Sequence, residues 1–227
     1  MLISLHLPKT AGTSFYKALA EHFGSRILRD YADFPYNTPP IKRNGGAALN
    51  SIRNIFLDLD NFDCIHGHFL PLKYWLYGKR KRETKFVTWL RDPVERLASN
   101  YFHWLRSYSP SITYPLQKKV VEEKWSLERF CLSTEFQNFY TKFLWGFPLT
   151  RFDFVGIVEY YGSELEYFSR KNLGSDLNSY YVNDNSQRVS KSYFMEDSAL
   201  RKKIELFHEK DMKLYKSALE IRAKERT

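Results

Sequence analysis

The chain has 227 residues, enough for one domain with a substantial core, and its 43% hydrophobic and 17% aromatic content marks it as globular. A formal net charge of +9 favours anionic partners (a nucleotide, an acidic glycan, nucleic acid or an anionic membrane surface) without choosing among them. Cys64 and Cys131 form neither a disulfide framework nor a metal spacing, and no run reaches the ~18 apolar residues of a membrane span. No signal peptide precedes the first strand, so a complete chain is expected to be cytoplasmic, with both thiols reduced and buried; a lumenal protein trimmed of its anchor is the alternative.

Leu2, Ile3, Leu5 and Leu7 form a short apolar run suited to a buried strand, closed by Pro8. After the loop Lys9-Thr-Ala-Gly-Thr-Ser14, the residues Phe15, Ala18, Leu19, His22 and Phe23 repeat at helical spacing, and Gly24 is a natural stop. A second strand is expected over Arg26–Asp30, a long surface loop over 31–50, and a third strand over Phe62–His66. Pro71–Tyr77 reads as a short helix ending near Gly78, followed by the basic run Lys79–Arg82 in a turn. Lys85–Leu90 is a strand, and Asp92-Pro93-Val-Glu95 opens a helix to about Arg106. A looser stretch, 107–124, leads to a helix over Ser126–Trp145 with Leu127, Phe130, Phe136, Phe139, Tyr140 and Phe143 on its core face. A fifth strand lies in Phe152–Val158, and Ser163-x-x-Glu166 is a capping box for a helix that stops near Gly174. Residues 175–194 are polar and loop-like, and a final helix covers about 197–223. With no internal repeat or low-complexity linker, this alternation predicts a single α/β domain over 1–227. It has three layers and a mainly parallel sheet of about five strands.

Two stretches carry chemistry. A helix N-terminus behind Lys9, Thr10, Ala11, Gly12, Thr13 and Ser14 is a phosphate or sulfate cradle, because its free N–H groups and dipole attract anions. The alternative is an ordinary strand-to-helix turn in which Thr13 or Ser14 merely caps. The loop is not a Walker A motif, since Lys9 precedes its only glycine. Leu90-Arg-Asp-Pro-Val-Glu-Arg-Leu-Ala-Ser99 brings Arg91 to the carboxyl edge of the sheet, where open α/β sheets bind ligands, and sets Ser99 two turns into the next helix. An arginine paired with Glu95 or Asp92 on the surface is the other reading.

Pro8-Lys-Thr-Ala-Gly-Thr-Ser-Phe15 resembles the 5′-phosphosulfate loop of sulfotransferases that use 3′-phosphoadenosine 5′-phosphosulfate (PAPS). Arg91-Asp-Pro-x-x-Arg96 with Ser99 resembles their 3′-phosphate site. Ile65-His-Gly-His-Phe69 and Phe154-Val-Gly-Ile-Val-Glu159 are similar to segments of the heparan and uronyl 2-O-sulfotransferases. The resemblance implies a P-loop-like sulfotransferase fold, PAPS as donor and PAP as product, with no metal. It further implies phosphate contacts from Lys9 to Ser14, Arg91 and Ser99, and a general base at His68. Histidine suits that task at neutral pH, and the glycine before it permits a sharp turn. His66 reads as a hydrogen-bonded strand residue, and no third ligand nearby completes a zinc set. Arg96 stays outside the ligand set; Arg188 or Lys191 could reach the 3′-phosphate, and Trp89, Phe15 and Tyr181 are candidates for adenine stacking.

The acceptor implied is a carbohydrate (polysaccharide, oligosaccharide or glycolipid) with no nucleic-acid partner; the sequence does not give the oligomeric state. Two other functions stand beside this one. An ATP-dependent small-molecule or sugar kinase needs a magnesium-binding Asp, for which Asp92 is available, and a Walker lysine, which is misplaced. A non-catalytic binder of acidic glycan or nucleic acid uses only the charge.

Overall fold

The computed structural model describes residues 1–33, 38–81, 83–111, 114–179 and 198–226. Five strands, β1 (Leu2–Leu5), β2 (Ile27–Asp30), β3 (Cys64–Gly67), β4 (Lys85–Leu90) and β5 (Phe154–Ile157), make one sheet in the order β2-β3-β1-β4-β5. Every pairing is parallel. From β1 the chain builds outward to β2 and β3 on one side, then crosses to β4 and β5 on the other.

Alternation along the strands divides the core. Ile3, Leu5, Ile65, Phe86, Leu90, Val155 and Ile157 face one layer, packed with Tyr77, Phe139, Tyr140, Phe143 and Ala218. Leu2, Cys64, Val87, Trp89 and Phe154 face the other, with Phe15, Leu19, Leu165 and Phe168. Near-continuous apolar strands with both faces covered are what a parallel sheet requires. The first layer holds α3 (Trp75–Arg80), α7 (Phe139–Phe143) and α10 (Glu209–Glu225). The second holds α1 (Gly12–Phe23) and α8 (Tyr161–Phe168). A further apolar cluster joins α4 (Pro93–Ser107) to α5 (Pro115–Glu122), α6 (Leu127–Cys131) and α9 (Ser198–Phe207).

The expected strands are present within a residue or two, and Gly24 closes α1 with a positive φ of 54°. Several expected helices differ. Residues 31–50 are not one loop: α2 (Pro40–Arg53) starts with Pro40 in its first turn and runs through Gly45 and Gly46. The helix after Pro71–Tyr74 passes Gly78 to Arg80, so Lys79 and Arg80 are helical. The stretch 107–124 contains α5.

Ser126–Trp145 breaks into α6 and α7, because Asn138 takes a left-handed conformation and Asp211 of α10 caps the new start. Its carboxylate accepts the Tyr140 and Thr141 N–H groups at 3.0 and 3.1 Å. The last helix is interrupted at His208, a buried ring whose Nε2–H donates to the Cys131 carbonyl at 2.7 Å. Its Nδ1 accepts the Asn138 N–H at 3.2 Å. Ser163 lies inside α8, where its hydroxyl donates to Tyr160 O, and does not cap it. Both cysteines are buried and free, and burial pushes the Cys131 thiol up to about 12. Trp89 and Phe15 are core residues in mutual contact, 2% and 1% exposed, so neither can stack on an adenine. Tyr181, Arg188 and Lys191 lie outside the described residues.

Candidate active site

Parallel strands end at one edge, so the residues just past β1, β3 and β4 share it. β1 lies between β3 and β4, with Leu5 opposite Gly67 on one side and Thr88 on the other. His6 and His68 therefore leave the sheet at the same height, and Arg91 emerges next to the loop that follows β1.

That loop is tightly wound. Lys9 and Ala11 both have positive φ, 68° and 60°. Non-glycine residues take that conformation at a cost of roughly 1–2 kcal/mol each. Thr10 fixes the turn by donating its hydroxyl to Leu7 O at 2.8 Å and its N–H to the same atom at 3.3 Å. Helix α1 begins at Gly12 with Ala11 as its cap residue, which offers no side-chain oxygen to the N–H groups of the first turn. Thr13 and Ser14 do not fill that role. Left-handed turns ahead of uncapped amides form the concavity in which proteins bind anions. Lys9, in this loop, has its ammonium pushed down to about 8, first by burial and then by repulsion from Arg106 and Arg91.

Arg91 is held by its backbone. The Tyr140 hydroxyl accepts the Arg91 N–H at 3.0 Å and donates to the Arg91 carbonyl at 2.7 Å. One residue on, Glu159 accepts the Asp92 N–H at 2.9 Å, and Asp92 caps α4 through the N–H groups of Val94 and Glu95. The Arg91 side chain is buried rather than on the surface, with Glu95 at a loose 3.9 Å. Asp92 instead pairs with Arg201 at 2.7 Å. Ser99 is 1% exposed and its hydroxyl has no hydrogen-bond partner among the described residues. A buried hydroxyl without a partner costs about 1–3 kcal/mol, so this one is suited to a ligand atom. Arg96 lies in the core, its guanidinium 4.1 Å from the Phe139 ring centre.

The histidines meet in one stack. His66 is fully buried, its Nδ1 2.9 Å from the Ser4 hydroxyl, as a strand residue bonded within the structure. His6 stacks on His66 at 5.3 Å between centres and places its Nδ1 3.2 Å from His68 Nε2 and 3.3 Å from the Tyr31 hydroxyl. If His6 Nδ1 accepts from both, His68 carries its proton on Nε2 and presents Nδ1 as a lone pair. Burial lowers His68 to about 4, so the ring is neutral at physiological pH. No group of three or more His, Cys, Asp or Glu among the described residues has the arrangement of a metal site.

Two glycines let these parts approach. A Cβ on Gly12 would lie 1.7 Å from His6 Cδ2, so the His6 ring occupies the space a side chain would take. A Cβ on Gly67 would lie 1.6 Å from the Asp30 carbonyl oxygen. Gly67 thus serves close strand approach within the β2–β3 pair, not the sharp turn expected from its place between two histidines.

Sequence reasoning missed three residues. His6 is the ring that orients His68; its signal is register, since it follows β1 where His68 follows β3. His103 and Arg106, on α4, add to the field around Lys9: burial, then Lys9 and Arg106, lower His103 to about 4. A helix period from the α4 cap would have placed them one and two turns beyond Ser99.

The fold and site give an α/β protein in which the helix start after Lys9, the buried Arg91 and a neutral His68 share one edge of the sheet. No family model and no curated protein sequence matches the chain. Among solved structures, a sulfotransferase from Alicyclobacillus acidocaldarius is similar at 14% identity over 92% of this chain and 95% of its own, with a TM-score of 0.43. A mouse sulfotransferase, SULT7A1, complexed with PAP, is similar at 15% identity over 86% of this chain and 66% of its own, with a TM-score of 0.34.

Proposed function

We propose that the chain transfers a sulfuryl group from PAPS to a hydroxyl of a carbohydrate acceptor. The observation that carries the proposal is the meeting of three features at one edge of adjacent strands. These are an uncapped helix start with Lys9, a buried Arg91 followed by the unpartnered Ser99, and a neutral His68. The first two suit two separate phosphates, as in a 3′-phosphorylated nucleotide. A nucleotide with all its phosphates in one chain would leave the Ser99 hydroxyl unsatisfied.

The chain's residues divide the work. Thr10 to Ser14 form the 5′-phosphate cradle, with Thr10 holding its turn and the backbone of Ala11, Gly12 and Thr13 facing the anion. Arg91 and Ser99 take the 3′-phosphate. When bound, PAPS supplies an activated sulfuryl group, whose sulfur bonds to the acceptor oxygen as its bond to the phosphate oxygen breaks. His68 receives the hydroxyl proton on Nδ1 and is held for it by His6. Lys9 neutralises the charge that collects on the phosphate side. Positioning and electrostatics supply most of such a rate enhancement. The carbohydrate class rests on the sequence resemblance at 65–69 and 154–159 and on the basic, aromatic-rich composition.

The test is thermal unfolding with PAP, ADP or ATP plus magnesium at equal concentration. A ligand at about 100 times its Kd stabilises by about 2.7 kcal/mol, a rise of roughly 5–10 °C for a domain of this size. A shift with PAP alone, lost in Arg91→Ala, is expected. It would be followed by transfer of labelled sulfate from PAPS to unsulfated polysaccharides and glycolipids. A shift with ATP and magnesium but not PAP would instead identify a kinase.

A further inference from the structure

Helix α2 carries an apolar ridge with nothing packed on it among the described residues. Ile41, Leu49 and Ile52 recur eight and three residues apart along one face, with Gly45 between the first two, and Phe56, in the 3-10 turn Asn54–Phe56 that follows the helix, continues the ridge. Ile41 is 90% exposed and Phe56 80%, and Leu57 prolongs the ridge. Inward, the helix buries only Ala47 and Ser51. Two interior glycines cost it about 1 kcal/mol each relative to alanine. It therefore buries few side chains of its own and turns much apolar surface outward.

Charge decides what covers it. Segment 40–57 has no acidic residue, and Lys42 and Arg53 border the ridge on one side, exposed and in no ion pair among the described residues. Arg80 donates to the Ile55 carbonyl at the ridge's far end, adding a third cation. The nearest carboxylates, Asp58 and Asp60, come after the ridge, and Asp60 is paired with Lys81 at 2.7 Å.

We propose that α2 docks the protein on an anionic lipid surface. Ile41, Ile52 and Phe56 enter the acyl boundary, while Lys42, Arg53 and Arg80 meet the headgroups. Side chains this exposed stand clear of the fold and can enter an acyl layer without a complementary groove. Pairing two copies of the chain through the ridge would bring three cations of each copy, Lys42, Arg53 and Arg80, together, with only Asp58 at the ridge's end to offset them. A docked α2 would also hold the cleft near the membrane, since it packs on Pro71–Tyr74, a turn that begins three residues after His68. The docking does not depend on the sulfuryl-transfer proposal.

The experiment is co-sedimentation of the full chain with phosphatidylcholine vesicles, with and without added phosphatidylglycerol, at low and high salt. The wild type is expected to bind the anionic vesicles, less so in high salt, and the neutral ones weakly. The double variant Ile41→Ser, Phe56→Ser should bind the anionic vesicles about tenfold more weakly or worse. Both residues are exposed, so its melting temperature and PAP response should match the wild type. Failure of the wild type to bind anionic vesicles at low salt would overturn the proposal. So would undiminished binding by the double variant, which would leave only diffuse attraction by the +9 charge. A concentration-dependent dimer lost in the variant, without vesicle binding, would assign the ridge to a second copy instead.

Discussion

Replacing Gly67 with alanine should separate the two halves of the site. The new Cβ would start 1.6 Å from the Asp30 carbonyl oxygen, whereas ordinary contact begins near 3.4 Å, so the strands must part by about 1.8 Å. β2 is an edge strand bonded only to β3, through four residue pairs ending at Asp30 and Gly67. Opening that end forfeits about two ladder hydrogen bonds at roughly 1 kcal/mol each. It also strains the Asp30 contacts with Lys73 Nζ at 2.6 Å and the Tyr74 hydroxyl at 2.8 Å. We expect a loss of about 3–4 kcal/mol in total, as for other overpacked or network-breaking changes. In urea titration the midpoint should fall with little change in slope, and the melting temperature should drop by roughly 6–16 °C. Lys9 and Arg91 hang from β1 and β4, whose pairing with each other does not involve Gly67, so the PAP-induced shift should survive while transfer falls with His68. A variant less than about 1 kcal/mol weaker would refute the steric argument. Loss of PAP binding with unchanged stability would refute the division of the site between strands.

Other expectations follow from single groups. Ser99→Ala removes a buried hydroxyl that has no partner among the described residues, so the free protein should be as stable as the wild type or slightly more so. The PAP-induced stabilisation should shrink by about 1.5–3 kcal/mol, the worth of a hydrogen bond to a charged group; a destabilised free protein with a full PAP response would contradict the assignment. For kcat/KM against pH, His68 must be neutral to accept a proton and Lys9 charged to stabilise an anion. With those groups at about 4 and about 8, activity should hold between pH 5 and 7 and decline above about 8. An acid limb near the ordinary imidazole value of about 6.5 would show that His68 is not desolvated. Stability should fall on the acid side as well. His66, His68 and His208 are lowered by burial to about 3, 4 and 4, so the unfolded chain takes up their protons first. Their contribution is complete above the unfolded value and is lost as pH drops from about 6.5 toward 4, each adding a slope of up to about 1.4 kcal/mol per pH unit. Urea titrations at pH 7 and 5 measure this, and His208→Gln should flatten the difference.

Local rules read the centre of the molecule well. Strand β4 and the start of α4 are set by a strand period followed by Asp92-Pro93, and the Asp92 carboxylate accepts two N–H groups where that pattern requires. The three loops of the site were legible for the same reason, since each follows an apolar strand directly. Where the expectations miss, a distant residue has decided. Residues 126–145 have a helical apolar period, yet the break between α6 and α7 is fixed by Asp211, some seventy positions away. His208 breaks the last helix because its ring bonds to Cys131 and Asn138. Helix α2 was hidden by Gly45 and Gly46, which local propensity counts against it. His6 was legible in kind but not in place, because only strand pairing puts it against His68.

The loop between β1 and α1 carries two unfavourable choices that share one cause. Ala11 stands at a cap position where Ser, Thr, Asp or Asn would stabilise the helix by about 1 kcal/mol. Lys9 and Ala11 are left-handed where glycine would adopt the conformation freely. Neither choice helps the free protein, and each has an available remedy one substitution away. A capping oxygen at position 11 would occupy the amides that an incoming phosphate needs. Glycine at position 9 would remove the ammonium, and glycine at 11 would loosen the turn that holds those amides together. The free loop is therefore less stable than its sequence neighbours would allow, and under the proposed function a bound anion would supply what the missing cap does not. The same logic covers Ser99, whose hydroxyl lacks a partner among the described residues. Two such deficits, one on the loop after β1 and one in α4 beyond β4, are what the proposed binding of two phosphates would use. A surface that binds polyanions by charge alone would need neither.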